Sequence, residues 1–331
     1  MILVTGGAGF IGSHLVARLV AQGRAVRCLV RRSSSLHNLP RGGIDPGIDL
    51  AYGDLASGDG LPEAVRGVDT VIHLAGTTKA TTVSGYYTGN ARATANLLRA
   101  AGAVGRFVHV SSMAAAGPSA LDRPLVEDAA PDYPPHPVSH YGRSKLEAEQ
   151  AVRKSALWER TAMVRPPVVY GPGDKDVYQV LRAAARGWMI QIGSVDRRFS
   201  LIYVEDLVDG LMAAADSPNA AGRLYYLAYR TPVSWGEFGA AAARLMGRSL
   251  RTLKIPEKAA YAVGLCGEWW SRVSGRPGIL SRDKVAEACS AGWVCDTGRA
   301  CRELGFCATT GLEDGLRRTL TWYKEAGWLK F

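Results

Sequence analysis

Tyr141 and Lys145 stand four residues apart in Tyr141-Gly142-Arg143-Ser144-Lys145. On a helix, positions i and i+4 share one face. A free tyrosine titrates at about 10 and is a poor base at neutral pH. A nearby ammonium favours the phenolate. The pair can then pass a proton to or from a hydroxyl whose carbon gains or loses hydride. Taken alone, the spacing also fits an exposed helical pair. A second group is Phe107-Val108-His109-Val110-Ser111-Ser112, an apolar run that ends in two hydroxyls. Ligands of a parallel sheet gather at the carboxyl ends of its strands, although a lone serine pair also suits a cap or turn. A third is Met1-Ile2-Leu3-Val4, which runs into Thr5-Gly6-Gly7-Ala8-Gly9-Phe10-Ile11-Gly12. Gly6 permits a tight turn, Gly9 removes a side chain where backbone must approach phosphate, and Gly12 lets the following helix pack close to the sheet. That helix offers free N–H groups and a positive dipole end to an anion. The run is the pattern of a dinucleotide pyrophosphate cradle, although on its own it also fits a glycine-rich turn with no ligand.

These groups need a scaffold that brings them together, and the remaining pattern supplies one. Ile2–Val4, Ala25–Val30, Leu50–Tyr52, Thr70–Leu74, Arg106–Ser111 and Ala162–Arg165 read as strands. Gly12–Gln22, Asn90–Ala103 and Tyr141–Leu157 read as helices. Such alternation predicts an α/β fold, a doubly wound parallel sheet with helices on both faces. The Pro-, Gly- and Asp-rich stretch Ala114–Val138 reads as a long loop, usually a functional one at that length. Arg165-Pro166-Pro167 and Tyr170-Gly171-Pro172-Gly173-Asp174 mark a boundary. Residues 1–170 are expected to form the dinucleotide-binding domain, with 199–216 returning to it. Residues 171–198 and 217–331 would form a smaller mixed α/β substrate domain.

Taken together, TGGAGFIG, Gly53-Asp54-Leu55, His73-Leu74-Ala75-Gly76, Asn90, Val110-Ser111-Ser112, YGRSK and RPPVVYGPGD resemble the extended short-chain dehydrogenase/reductase superfamily, in its epimerase/dehydratase-like part. The tail, with Arg282–Val285, Trp293-Val294-Cys295-Asp296, Leu304-Gly305-Phe306 and Trp322–Leu329, looks like the 3β-hydroxysteroid dehydrogenase and dihydroflavonol reductase branch. The resemblance implies a Rossmann fold and a catalytic set of Ser112, Tyr141 and Lys145, with Asn90 supporting the proton relay. Tyr141 would be the acid/base, Lys145 would lower its pKa and bind the nicotinamide ribose, and Ser112 would hold the substrate oxygen. The cofactor would meet Gly6, Gly9, Phe10, Ile11, Gly12, Asp54, Leu55, Leu74, Ala75, Gly76, Tyr141, Lys145, Pro167 and Val168. The substrate would meet Thr77, Met113, Tyr170, Tyr178 and Arg198.

Where NAD-preferring members end the second strand with a carboxylate, this chain has Val30-Arg31-Arg32-Ser33. Arginine can clamp a 2′-phosphate that a carboxylate would repel. NADP(H) is therefore favoured as cofactor, with NAD(H) still open, and a solvated basic loop is the plainer alternative. Three functions follow: an NAD(P)(H)-dependent oxidoreductase acting on a secondary alcohol or ketone, a nucleotide-sugar epimerase or dehydratase that retains its cofactor, and, least favoured, a non-catalytic dinucleotide-binding regulator. Nucleotide-sugar members usually carry an arginine seven residues before the aspartate that is Asp206 here. Position 199 is Phe199, and Arg198 is one residue off, on the opposite strand face.

Composition narrows the field further. The chain has 331 residues, 47% hydrophobic and 21% charged, with a formal charge of +10. The basic residues are scattered, which favours anionic small molecules or an acidic membrane surface over nucleic acid. The first strand starts at Ile2 and no apolar run reaches transmembrane length, so the expected location is cytoplasmic. Cys289, Cys295, Cys301 and Cys307 recur every six residues without a CxxC pair or an intervening His. Reduced, buried thiols are expected, with no metal. Tyr261, Val263, Leu265, Trp269 and Trp270 fall within Ala259–Val273, a stretch suited to core packing, a pocket for a hydrophobic substrate, or a peripheral membrane contact. A homodimer also stays open.

Overall fold

The computed structural model describes residues 1–331 apart from 44, 129–133, 194–196 and 275–280, together with the side chains of 269–273. Part of the Ala114–Val138 loop and the side chains of Trp269 and Trp270 therefore lie outside the described residues.

Strands β1 (Ile2–Thr5), β2 (Val26–Val30), β3 (Ile48–Tyr52), β4 (Thr70–His73), β5 (Arg106–Val110) and β6 (Thr161–Arg165) form the parallel core sheet. They are joined through helices α1 (Phe10–Ala21), α2 (Leu61–Ala64), α3 (Val83–Tyr87), α4 (Ala93–Ala100) and α5 (His140–Lys154). The central strands are almost wholly apolar and buried on both faces, as a helix-covered parallel sheet requires. Leu15, Leu19 and Val108 fill one layer, and Leu97, Phe107 and Val152 the other.

Beyond β6 come β7 (Val168–Tyr170), α6 (Val177–Ala185), β8 (Trp188–Ile192), β9 (Arg198–Phe199), β10 (Leu201–Tyr203), α7 (Val204–Asp216), β11 (Arg223–Tyr226), β12 (Val233–Ser234), α8 (Trp235–Leu245), β13 (Arg251–Ile255), α9 (Glu257–Ser274), α10 (Arg282–Cys289), α11 (Gly298–Leu304) and α12 (Leu312–Glu325). The main sheet has seven strands in the order β11-β6-β5-β4-β1-β2-β3. Its direction of winding reverses between β1 and β4, which opens a crevice at their carboxyl ends.

Three expectations change. The strand that returns to the sheet is Arg223–Tyr226, parallel to β6, not the one beginning at Phe199. Leu201–Tyr203 instead pairs with β7 in a separate two-stranded sheet. The reason is local: β7 leaves the main sheet after Pro166-Pro167 and takes β10 with it, while α7 still packs on α1 and β5. The helix read over Asn90–Ala103 begins as a π turn at Thr88–Arg92 and becomes α-helical only at Ala93. The expectation of reduced thiols also fails for one pair, because Cys301 and Cys307 are joined by a disulfide. Gly305, at φ +63°, ends α11 in a left-handed cap and folds the chain back to bring the two together.

Candidate active site

The glycine turn links β1 to α1 and presses on the chain leaving β4. Gly6 has φ +72°, and a Cβ there would lie 2.8 Å from the Ala75 nitrogen. A Cβ on Gly12 would lie 2.1 Å from the Gly6 carbonyl oxygen. Only glycine fits either place. Phe10 and Ile11 open α1, which has no side-chain cap and no acid in its first turn. This uncapped, positively polarised end at the switch point fits a dinucleotide pyrophosphate. Thr5 Oγ1 accepts from the Ala75 N–H at 3.2 Å and meets His73 Nδ1 at 2.7 Å. Burial pushes His73 down to about 3, so it is a neutral structural group.

Arg31, Arg32 and Ser33 follow β2 and are exposed. Asn38, further along the same loop, donates to the Ala8 carbonyl at 3.0 Å, folding the loop onto the glycine turn. Arg32 stacks over Tyr52 at 5.3 Å. One Asp54 oxygen accepts from the Ala56 N–H at 2.6 Å, shaping the turn that continues into Leu55. Leu74, Ala75, Gly76, Pro167 and Val168 line the carboxyl ends of β4 and β6 without being fully buried.

Three elements converge on Tyr141. The N-terminus of α5 is capped by Ser139, whose hydroxyl accepts from the Gly142 N–H. Gly142 fits only as glycine, because a Cβ would lie 2.3 Å from the Ala114 oxygen. This contact holds the helix start against the turn that carries Ser112, which sets Ser112 beside the Tyr141 phenol and draws that phenol's pKa down. One turn on, Lys145 is buried and donates to the Val110 carbonyl at 2.8 Å. Asn90 ties the third element in. Its Oδ1 accepts from the Thr77 N–H at 2.8 Å, and its Nδ2 donates to Thr77 O and to Ser144 Oγ. These bonds hold the Thr88–Arg92 π turn, a form that often marks functional sites. Gly76 lies between Asn90 and Lys145, with its would-be Cβ 2.9 Å from Asn90 Oδ1 and 3.7 Å from Lys145 Nζ.

Under this cluster lies a buried ion pair. Arg165 Nε and Nη2 donate to the two Glu149 oxygens at 2.8 and 2.6 Å. Ser111 donates to Glu149 at 2.5 Å, and Arg165 also donates to Tyr226. Neither Glu149 nor Arg165 was legible in the sequence, since Glu149 is one of many helix acids and Arg165 ends an ordinary strand. Lys284 was missed as well. It lies 5.6 Å from the centre of the Tyr141 ring and pairs with Glu287 at 2.9 Å. Glu287 accepts from Ser139, and Asp283 accepts from the His140 N–H, both at 2.6 Å, so α10 is fastened to the start of α5. Burial raises the Tyr141 phenol, while Ser112 and Lys284 pull it down. Lys284 is thus a second cation near this phenol beside Lys145, and its effect is opposed by Glu287 and Asp176.

The residues expected to meet substrate are divided. Thr77 stays at the crevice, with its side chain against Gly89. Met113 is buried in the core. Tyr170 is fully buried among Tyr203 and Phe238, and its hydroxyl has no partner. Tyr178 donates to the Trp328 carbonyl and packs on Tyr323. Arg198 pairs with Glu237 at 2.7 Å. Met113 and Tyr170 are corrected to core positions, since each side chain is buried by neighbours distant in sequence. Tyr178 and Arg198 are partly exposed and are engaged by neighbours of their own.

Burial lowers Lys145 to about 8, opposed by Glu149. The unfolded lysine titrates at about 10.5. Between those values the unfolded chain binds the extra proton, so the penalty of burying the ammonium is relieved as pH rises. Lys145→Met abolishes this term. The stability of the native chain relative to the variant should therefore rise from pH 8 towards 10.5, as measured by urea unfolding. A pH-independent difference over that window would exclude it.

The comparisons with known proteins agree with this geometry. Residues 2–228 match the NAD dependent epimerase/dehydratase family. The chain is 32% identical to a ceramide reductase of Caulobacter vibrioides over 99% of this chain and 96% of that one. It is 30% identical to a 2-alkyl-3-oxoalkanoate reductase of Stenotrophomonas maltophilia, over 96% and 97%. Among solved structures, MoeE5 in complex with UDP-glucose and NAD superimposes with a TM-score of 0.77 at 29% identity, over 98% of this chain and 99% of that one. The chain belongs to the NAD dependent epimerase/dehydratase family of extended short-chain dehydrogenases/reductases.

Proposed function

We propose that this chain is an oxidoreductase that interconverts a secondary alcohol and a ketone on a hydrophobic substrate, with NADP(H) as the preferred cofactor. The observation that carries the reaction is the close packing of the start of α5, at Gly142, on the turn that carries Ser112 at the carboxyl end of β5, which sets Tyr141 beside Ser112 with Lys145 and Asn90 behind them. Ser112 orients the substrate oxygen towards the Tyr141 hydroxyl. Tyr141 donates its proton to that oxygen on reduction and removes it on oxidation. Lys284 and Ser112 offset the burial that would otherwise keep Tyr141 a neutral phenol. Asn90 holds the β4 loop and α5 in register, so that the lysine and tyrosine keep their spacing. When bound, the nicotinamide supplies or accepts the hydride. Gly6, Gly9 and the start of α1 would hold its pyrophosphate, Asp54 and Leu55 its adenine, and Lys145 its ribose.

The choice of reductase over epimerase is supported by two relatives named as reductases across nearly their whole length. It is also supported by Phe199, which is buried against Trp235 where sugar-nucleotide members carry an arginine. The substrates in those two names, a ceramide and an alkyl-oxoalkanoate, are the basis for a hydrophobic substrate. Likeness to MoeE5, whose complex contains UDP-glucose and NAD, favours a second reading as a sugar-nucleotide enzyme with retained NAD. Mass spectrometry of the purified protein separates the two: stoichiometric NAD(H) carried through purification favours the second.

Tyr141→Phe removes the proton donor and keeps the ring, so turnover of a ketone substrate should fall by about 10²–10⁴ while cofactor binding survives. In the same kinetic series, Lys284→Met withdraws a cation from the phenol. The Tyr141-dependent limb of the pH–rate profile should then move to higher pH, and Lys284→Arg should restore it. Full turnover in the phenylalanine variant would refute the assignment.

Cofactor preference rests on Arg31 and Arg32, which have no carboxylate partner among the described residues. A charge-assisted hydrogen bond contributes about 1.5–3 kcal/mol, so titration should find NADP(H) bound at least about tenfold more tightly than NAD(H). Val30→Asp with Arg31→Ala should reverse the order by adding a ribose acceptor and removing a phosphate clamp. Equal affinities in the native chain would mean that both arginines serve only the surface.

A further inference from the structure

One face of the smaller domain is apolar and uncovered. β8 and β13 pair in parallel, with Trp188 opposite Arg251, Ile190 opposite Leu253 and Ile192 opposite Ile255. Side chains alternate along a strand, so these six share one face. Met189, on the other face, is buried against α8 at Gly239. Trp188, Ile190 and Leu253 are 47%, 53% and 50% exposed. The chain then enters α9, where residues 259–267 carry no charge and Tyr261, Val263 and Leu265 are exposed. Gly264 is the close-packed point of this segment, set against Ser281 and Arg282 at the start of α10. A helix that is apolar all round normally lies in a core or in lipid. A contiguous exposed apolar patch marks an interaction surface.

Charge selects the occupant. Arg186, Arg248 and Arg251 lie at the start of the ribbon, where the Arg251 N–H donates to the Gly187 carbonyl. Lys258 lies at its far end, as does Lys254, whose side chain alternates to the Met189 face. All five are exposed, and no carboxylate pairs with them among the described residues. Glu257, the acid between them, is taken by Arg197. A second copy of the chain would bring these cations against their own kind. An anionic bilayer complements both features, accepting the apolar side chains below its headgroups and the cations at its phosphates. Trp188 and Tyr261 suit that boundary, where aromatic rings with a polar edge concentrate.

We propose that the outer face of the β8–β13 ribbon and the first half of α9 dock this protein on an anionic lipid bilayer. The contact is peripheral: no described helix is long and apolar enough to cross a membrane. It stands independently of the reaction assigned to the crevice.

The test is sedimentation of the full chain with vesicles of equal parts phosphatidylglycerol and phosphatidylcholine, and with phosphatidylcholine alone. The native chain should bind the anionic vesicles, and binding should weaken with added salt. Arg251→Gln with Lys258→Gln should weaken it by about thirtyfold. Trp188→Ser, Ile190→Ser and Leu253→Ser together should weaken it by at least about tenfold, with cofactor binding retained. Should that triple variant fail to fold, lipids brominated on their chains provide the second measurement. They should quench tryptophan emission in the native chain, and less in Trp188→Phe. Native protein left in the supernatant with anionic vesicles would overturn the proposal, as would unchanged binding in the Arg251/Lys258 variant. So would a lipid-free dimer, seen by analytical ultracentrifugation, that the serine variant dissolves, because a second copy would then be the occupant.

Discussion

The geometry around Tyr141 depends on the ion pair between Glu149 and Arg165. Both side chains are almost completely buried, at 1% and 6% exposure. Charges withdrawn from water this far are tolerated only when paired and fully hydrogen-bonded. Here the pairing is bidentate, and Ser111 and Tyr226 take up further capacity. The four groups come from α5, β6, the end of β5 and β11. The pair therefore clamps the catalytic helix to three adjacent strands. Lys145 lies one helical turn before Glu149, so its position under the Val110 carbonyl follows from the same clamp. Glu149 also supplies the negative charge that opposes the burial of the Lys145 ammonium. Loss of either partner would strand a charge in the core, a change that costs about 3–5 kcal/mol in such pairs.

The other half of the site is set by backbone contact. The glycine turn and the chain after β4 approach so closely that no side chain fits between them. Strand order brings them together, because β1 and β4 are neighbours although nearly seventy residues apart, as their register of Thr5 with His73 shows. Asn90 then bridges this half to the first. Its amide serves the Thr77 backbone on one side and Ser144 on the other, and the helix yields a π turn to place it. The glycine-turn half and the Tyr141 half are thus joined by one side chain.

The later chain closes the site. α10 is fastened to the N-terminus of α5 through Asp283 and Glu287, and it carries Lys284 over the Tyr141 ring. On its other side α10 meets α9 at Gly264. The helix that carries Lys284 therefore rests on the helix of the apolar face. This continuity gives a physical route by which a surface contact and the crevice could be coupled.

The glycine run, the β/α alternation and the Tyr141–Lys145 spacing determined the family and the parallel sheet. They could do so because each is a local rule: a turn that excludes Cβ, a strand buried on both faces, a helical repeat. The arginines after β2 were legible for the same reason, as a local absence of carboxylate. Tertiary structure alone decided the rest. Arg223–Tyr226 joined the main sheet because β6 had an open edge, which no residue in that segment announces. Tyr170, Tyr178, Met113 and Arg198 went to packing and pairing because neighbours distant in sequence demanded their bulk or charge. Cys301 met Cys307 because Gly305 reversed the chain. Lys284, Glu149 and Arg165 acquired their roles only where separate elements meet, since a charge on a helix or strand end has no meaning until the fold gives it a partner.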